Sequence, residues 1–270
     1  MKSILNITLV FLSITGAFGQ AWTKEKGKSF LKLDFTTITG NKVFNDKSEV
    51  VDFQDFSFNT ASLYGEYGIT NKLTAVAYLP FLQSNTLKAS ALGPEASNSG
   101  FGDVDLGFRY SISKEKFPLA VTLILGIPSG DNDDSNQLYT GDGEFNQIIT
   151  LGSGVGKGNW WLQGSVGYNN RSNDFSDEMR FNAEFGYKLL NSKLLAMLKL
   201  GGVSPLDNGK APLTRTGLFS NNVAYFSPAI ELMYYIKPKF GIALRGAGAS
   251  PTSRNIQATP SLSFAFFGDF

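Results

Sequence analysis

At 270 residues, with 24 basic side chains against 23 acidic ones, the chain is nearly neutral and lacks the basic footprint of a nucleic-acid binder. The absence of cysteine excludes disulfides and thiol chemistry, and the absence of histidine removes the commonest general acid and base. No run of about 18 apolar residues exists, so no membrane-crossing helix is expected.

The first residues, MKSILNITLVFLSITGAFGQ, combine a positive start at Lys2, an apolar run from Ile4 to Ile14 and the small-residue site Ala17-Phe18-Gly19. That order of features predicts a cleaved secretory signal over 1–19, leaving 20–270 as one exported domain. Fewer than about fifteen residues separate Gln20 from the first strand, so no plug domain and no energy-coupled transporter are expected.

From there the sequence is cut by Gly, Asn, Ser and Asp clusters into about twelve segments of roughly ten residues, the length a tilted strand needs to cross a bilayer. The first is Ser29 to Ile38, followed by a polar loop through Asn41, Asp46 and Glu49. Asp55 to Tyr67 and Leu73 to Phe81 are joined by a tight turn at Gly68 to Asn71. Gln83 to Gly100 is read as a long loop, leading to Phe101 to Ser113. In that stretch Val104, Leu106, Phe108, Tyr110 and Ile112 alternate with Asp103, Asp105, Gly107, Arg109 and Ser111. A period of two marks a strand with one apolar and one polar face.

Leu119 to Ile127 continues the pattern, and a long loop starts at Pro128-Ser129-Gly130. Phe145 to Val155 alternates poorly and its register is not legible. Trp160 to Tyr168 precedes the polar loop Asn169 to Glu178. Met179 to Leu189 alternates most clearly, and Leu194 to Gly202 follows a turn at Asn191-Ser192-Lys193. After the loop Pro205 to Asn221 come Asn222 to Ile236, a strand opening at Phe240, and Ile256 to Phe270.

Short and long connections alternate along the chain, as expected where inner turns are tight and outer loops are long. Aromatic residues recur near segment ends, at Tyr64, Tyr67, Phe81, Tyr110, Trp160, Tyr187, Tyr234 and Tyr235, as in an interfacial belt. A secreted β-sandwich or jelly roll would alternate too, but gives its loops no reason to alternate in length. The expected fold is an all-β, transmembrane, antiparallel up-and-down barrel of about twelve strands, in the outer membrane of a Gram-negative bacterium.

Charges cost a few kcal/mol each where they face lipid, so the strand charges must point inward. By register these are Lys32, Asp34, Glu66, Asp103, Asp105, Arg109, Arg180, Glu184, Lys188, Lys199, Glu231 and Arg245. They are read either as a polar solute path through a wet bore or as ion pairs bracing the wall.

Other motifs carry less. Gly152, Gly154, Gly156 and Gly158 superficially suggest a phosphate loop, but no Ser or Thr follows Lys157 and no amphipathic helix follows the glycines. Asp131, Asp133, Asp134 and Asp142 suggest calcium, but Asn136 stands where an EF-hand needs glycine, and a solvated outer loop is the plainer reading. Asp103 and Asp105, with Arg109 close by, look like a charge network rather than an acid-catalysis pair. No catalytic residue, cofactor or metal is therefore assigned. Pro228 and Pro260 each remove a ladder hydrogen bond and either open the wall or sit at a bulge or strand start.

Three segments, SLYGEYGITNKLTAVAYLPF, SGFGDVDLGFRYSI and LGIPSGDND followed by TGDGEF, together resemble the outer-membrane proteins of the MetA-pathway of phenol degradation. Matching positions are Tyr67, Gly68, Asn71, Leu79, Pro80, Gly102, Asp103, Gly107, Arg109, Tyr110, Pro128, Gly130 and Asp131, with Asn71 and Ser129 standing where the family often has Asp and Thr. The resemblance covers Ser62 to Phe145. It implies a barrel that helps small aromatic or hydrophobic compounds cross the outer membrane. A C-terminal Phe270 on an aromatic-rich strand likewise resembles the signal read by the barrel-assembly machinery. The expected partners are thus outer-membrane lipid, a small-molecule solute and that machinery. The competing reading is a non-transporting structural protein, or one whose outer loops, Gln83 to Gly100 and Pro205 to Asn221, bind a partner.

Overall fold

The computed structural model describes residues 10–11, 20–114, 117–133 and 135–270. Most of the predicted signal, and Asp134 of the acidic loop, lie outside the described residues. Val10–Phe11 pairs with Gly248 and Ala249.

Twelve antiparallel strands form the wall: β1 Ser29–Phe44, β2 Val50–Thr70, β3 Leu73–Leu87, β4 Val104–Ser113, β5 Leu119–Ile127 and β6 Asn146–Lys157. Then follow β7 Trp160–Arg171, β8 Glu178–Leu189, β9 Leu194–Pro205, β10 Tyr225–Lys237, β11 Phe240–Ala249 and β12 Ser261–Asp269. Each pairs with its neighbours in sequence, and β12 pairs with β1, from Ser261↔Ile38 to Asp269↔Phe30, so the barrel has no free edge. Closure satisfies the backbone without water, as a bilayer requires. Phe270 completes the seam: its N–H donates to the Ser29 carbonyl at 2.8 Å and its carbonyl accepts from the Ser29 N–H at 3.0 Å.

The period of two sorts the side chains. Leu31, Phe35, Leu106, Phe108, Leu123, Leu125, Phe185, Leu198, Leu244 and Phe266 are exposed on the outside, where lipid covers them. Tyr67, Tyr110, Tyr187 and Tyr234 are also outward, near the short turns. Two members of the predicted belt are not: Tyr64 and Tyr235 point inward. Tyr64 donates its hydroxyl to Glu66, and Tyr235 packs edge-on against Phe267 at 4.9 Å.

The strands outrun the sequence reading at their outer ends. β1 to β3 continue past Ile38, before Asp55 and past Phe81 as paired ribbon, and Ala96–Gly100 folds back on β3. Above the bilayer there is no lipid face, so alternation fades while pairing persists. Gln83 to Gly100 is accordingly a hairpin extension rather than an irregular loop. Pro260 precedes β12, as a strand start. Pro228 lies inside β10 opposite Leu200, and the β10–β11 register runs only from Ala229↔Ala247 downward.

Candidate functional site: the barrel interior

The interior is layered, and this corrects the expectation of a continuous wet bore. At the outer end the inward residues Ile38, Phe44, Phe56, Phe58, Leu87, Ile256 and Ala258 form a core with Leu138 and Leu218, which come from the loops after β5 and β9. Those loops fold into the mouth at Leu138 and Leu218, while Asp131 and Asp133 of the acidic loop stay exposed to solvent and Asp142 is half-buried. Leu138, Thr140 and Thr216 are fully buried. Side chains pin them there. Asn85 and Asn98 donate to the carbonyls of Tyr139 and Leu138 at 2.9 Å each, and Gln257 donates to the Thr216 carbonyl at 2.9 Å. Arg215 contacts Gln54 and donates to the Leu92 carbonyl at 2.9 Å.

Beneath this lid sits an acidic and basic cluster. Arg171 pairs with Glu144 and, at 2.7 Å, with Glu178, which also takes Arg180 at 2.9 Å. Asp103 is a latch: one carboxylate oxygen accepts from the Gly130 N–H and the other from the Asp142 N–H, both at 2.9 Å. Burial, then the neighbouring Asp142, push the Asp103 carboxyl up to about 7 against those two hydrogen bonds. Asp142 is raised as well, by burial and by Glu144. Asp131, exposed, is instead held low by the Asp133 N–H and the Asn98 amide. Asp105 faces Gly126 of β5. No group of three or more His, Cys, Asp or Glu among the described residues is placed to hold a metal.

The middle layer holds six of the twelve predicted inward residues. Lys32 donates to Glu231 at 2.6 Å and pairs with Asp34 at 3.2 Å, while Lys199 bonds Glu231 and reaches Glu184 at 3.2 Å. Arg245 is the cross-strand partner of Glu231. Glu231, 2% exposed, is the hub.

On the β2 to β4 side, Arg109, wholly buried, pairs with Glu66 at 3.0 Å and donates to the Trp22 carbonyl at 3.1 Å. That second bond reveals a strap missed in the sequence. Residues 20–27 enter the lumen from the short-turn end. Gln20 and Ala21 donate their N–H groups to Gln163 Oε1 at 3.0 and 3.2 Å, Lys24 N–H donates to Thr74 Oγ1 at 2.8 Å, and Gly27 N–H donates to the Gly68 carbonyl at 2.8 Å. A Cβ on Gly152 would collide with the Gln20 backbone, and one on Gly68 with that of Glu25. Gly152 and Gly154, half of the glycine run that imitated a phosphate loop, make room for this strap, and with them β6 loses side-chain alternation.

At the short-turn end the interior turns apolar again, with Met197, Met233, Phe267, Phe30, Trp161, Leu195 and Tyr235 packed together. Lys188 stands apart from every charge cluster, exposed at this rim beside Trp22 and Trp160. The structure thus brings together Lys32, Asp34, Glu184, Lys199, Glu231 and Arg245, pairs Glu66 with Arg109, and gathers Asp103, Asp105 and Arg180 near the mouth. Arg171, Glu144 and Glu178 escaped the sequence reading, and Asp142 entered it only as part of the acidic loop, not as a lumen residue. They lie at strand ends or in loops, where no register announces an inward face.

A closed, twelve-stranded, antiparallel barrel with charges inside and aliphatic and aromatic residues outside is the architecture of outer-membrane barrels. Solved structures agree on the fold. An outer membrane channel from Pseudomonas putida F1 superposes with a TM-score of 0.70 at 14% identity, covering 95% of this chain and 100% of that one. The KdgM porin (TM-score 0.51, 7% identity, 88% of this chain and 99% of that one) and the NanC porin (0.50, 11%, 89% and 98%) are more distant. No protein-family model matches the chain, and no curated protein does.

Proposed function

We infer that the chain is an outer-membrane channel for passive passage of small aromatic or hydrophobic compounds, exported by a signal over 1–19 and inserted by the barrel-assembly machinery through the strand ending at Phe270. The observation that carries this reading is the layering of the lumen. A solute entering from either side meets apolar side chains first, and a polar layer only in the middle. Such an interior penalises a strongly hydrated solute at both ends and accepts one with an apolar body. The resemblance over Ser62 to Phe145 points the same way, and the similar solved structures are themselves described as channels and porins. The outer loops bond to one another across the mouth instead of projecting, which disfavours a loop-mediated binding protein. Planar-bilayer conductance together with uptake of an aromatic solute and of a sugar by proteoliposomes tests the reading. The expected result is small conductance and faster entry of the aromatic solute. No current and no flux would leave a structural wall protein.

A further inference from the structure

The lipid-facing wall is notched across β1 to β5. Gly65, Ala75 and Ala77 stand on the outward side of β2 and β3, among the exposed Leu31, Tyr67, Leu106 and Phe108. Gly65 pairs with Leu31 and Ala77, and Ala75 with Tyr67 and Phe108, so the short side chains adjoin and leave a groove of about 680 Å³. At the same height above the β10–β11 turn the outward positions carry Leu232, Tyr234, Ile242 and Leu244, all large.

Below this groove lysines converge on the β2–β3 turn. The Lys26 N–H donates to Asn71 Oδ1 at 2.9 Å, and the Lys28 carbonyl accepts from the Gly68 N–H at 2.9 Å. Lys72 follows Asn71 in the chain, and the Lys114 ammonium donates to the Asn71 carbonyl. All four lysines are exposed, and none of the salt bridges among the described residues uses them. Asp269, the carboxylate of the adjoining β12 end, is already held by Lys24 at 3.0 Å, and Glu25 is the only acid in the segment 24–28. Clustered lysines at the membrane surface attract anionic headgroups.

Ala75 lies three residues from Lys72, about 10 Å at the rise of a strand, so one molecule reaches from the groove to the lysines. It needs an apolar chain and an anionic head. The groove lies on the face that lipid covers, and its concave floor gives an acyl chain more contact than a flat wall does. We propose that this groove is a binding site for one anionic glycerophospholipid of the inner leaflet. An acyl chain lies over Gly65, Ala75 and Ala77, and the phosphate is held by Lys26, Lys28, Lys72 and Lys114. Lys26 and Lys28 end the strap where it leaves the lumen, so the headgroup also fastens the strap's exit. The site depends on the membrane face of the barrel and not on passage through its lumen.

Native mass spectrometry of the folded, delipidated barrel in detergent tests this. The barrel is offered equal amounts of palmitoyl-oleoyl phosphatidylglycerol and of the phosphatidylcholine with the same chains. One phosphatidylglycerol should be retained at least about tenfold more than phosphatidylcholine, the scale of two or more lysines near a phosphate. Lys28→Gln with Lys72→Gln should remove that preference, whereas Lys237→Gln with Lys239→Gln, on the β10–β11 turn, should leave it intact. Ala75→Leu with Ala77→Leu fills the groove and should lower retention of both lipids several-fold. Inorganic phosphate at the lipid concentration should not compete. All the substituted side chains face lipid or water, so the interior of each variant is undisturbed. Equal retention of the two lipids, an equal loss on changing Lys237 and Lys239, binding that survives the filled groove, competition by inorganic phosphate, or a barrel dimer that the filled groove breaks apart would each overturn the proposal.

Discussion

Glu231→Gln is the most informative single change in the wall. Glu231 accepts from Lys32 at 2.6 Å and from Lys199, with Arg245 on the adjacent strand, so neutralising it leaves cationic charge in a buried layer. Removing one partner of a buried pair costs about 3–5 kcal/mol. Both lysines keep a second carboxylate at 3.2 Å, Asp34 for one and Glu184 for the other, which places the expected loss near the lower bound, about 3 kcal/mol. Urea unfolding in lipid vesicles, followed by tryptophan fluorescence, measures it. Adding Lys199→Met removes the surplus cation, so the double variant should recover about half of the loss, a coupling of at least about 1.5 kcal/mol once the cost of Lys199→Met alone is included. Reversal potentials should move toward anions in the single variant and return in the double one. A single variant within about 0.5 kcal/mol of the parent, or strictly additive losses, would show that this layer is solvated and that its ion pairs do not brace the barrel.

Arg109→Met should release the strap, because Arg109 bonds both Glu66 and the Trp22 carbonyl; Trp22 fluorescence should shift to the red and conductance rise several-fold. Leu138→Ala removes the loop's main apolar anchor in the mouth and should cost about 2–4 kcal/mol of loop closure, read as faster gating noise in single-channel records. For Asp103 the sign follows from its raised carboxyl: the packed loop holds the proton more tightly than the open one. Closure is strongest below about pH 4, weakens as pH rises toward 7, and is constant above that. Hydrogen exchange at the Asp142 amide, corrected for intrinsic rate, should report this loosening, and Asp103→Asn should flatten it.

How much of this was legible follows from where the physics leaves a trace. Between Leu119 and Ile127 or Met179 and Leu189 one face meets lipid and the other the lumen, so alternation reveals both strand and register. Of the strand charges given an inward face by parity, Lys32, Asp34, Glu66, Arg109, Glu184, Lys199 and Glu231 are drawn into ion pairs away from solvent, whereas Lys188 is exposed at the rim. Two kinds of information are absent from that pattern. Parity says that Tyr64 or Phe58 points inward, but not whether water or another side chain waits there; the apolar lid needs Leu138 and Leu218, from loops with no register. The strap is invisible for a different reason. Residues 20–27 bond into the lumen mostly through backbone N–H and carbonyl groups, which every sequence has, and the trace they leave is in the small residues opposite, Gly68, Gly152 and Gly154.

The layered interior also bears on why bracing and passage can coexist in one lumen. A twelve-stranded barrel is too wide for its wall to be filled by aliphatic side chains alone and narrower than an open porin. Ion pairs linking different strands, such as Lys32 of β1 to Glu231 of β10 and Lys199 of β9 to Glu184 of β8, occupy that width while leaving almost no net charge in the layer. On the passage reading proposed above, a neutral middle would select by hydrogen bonding and size rather than by sign of charge.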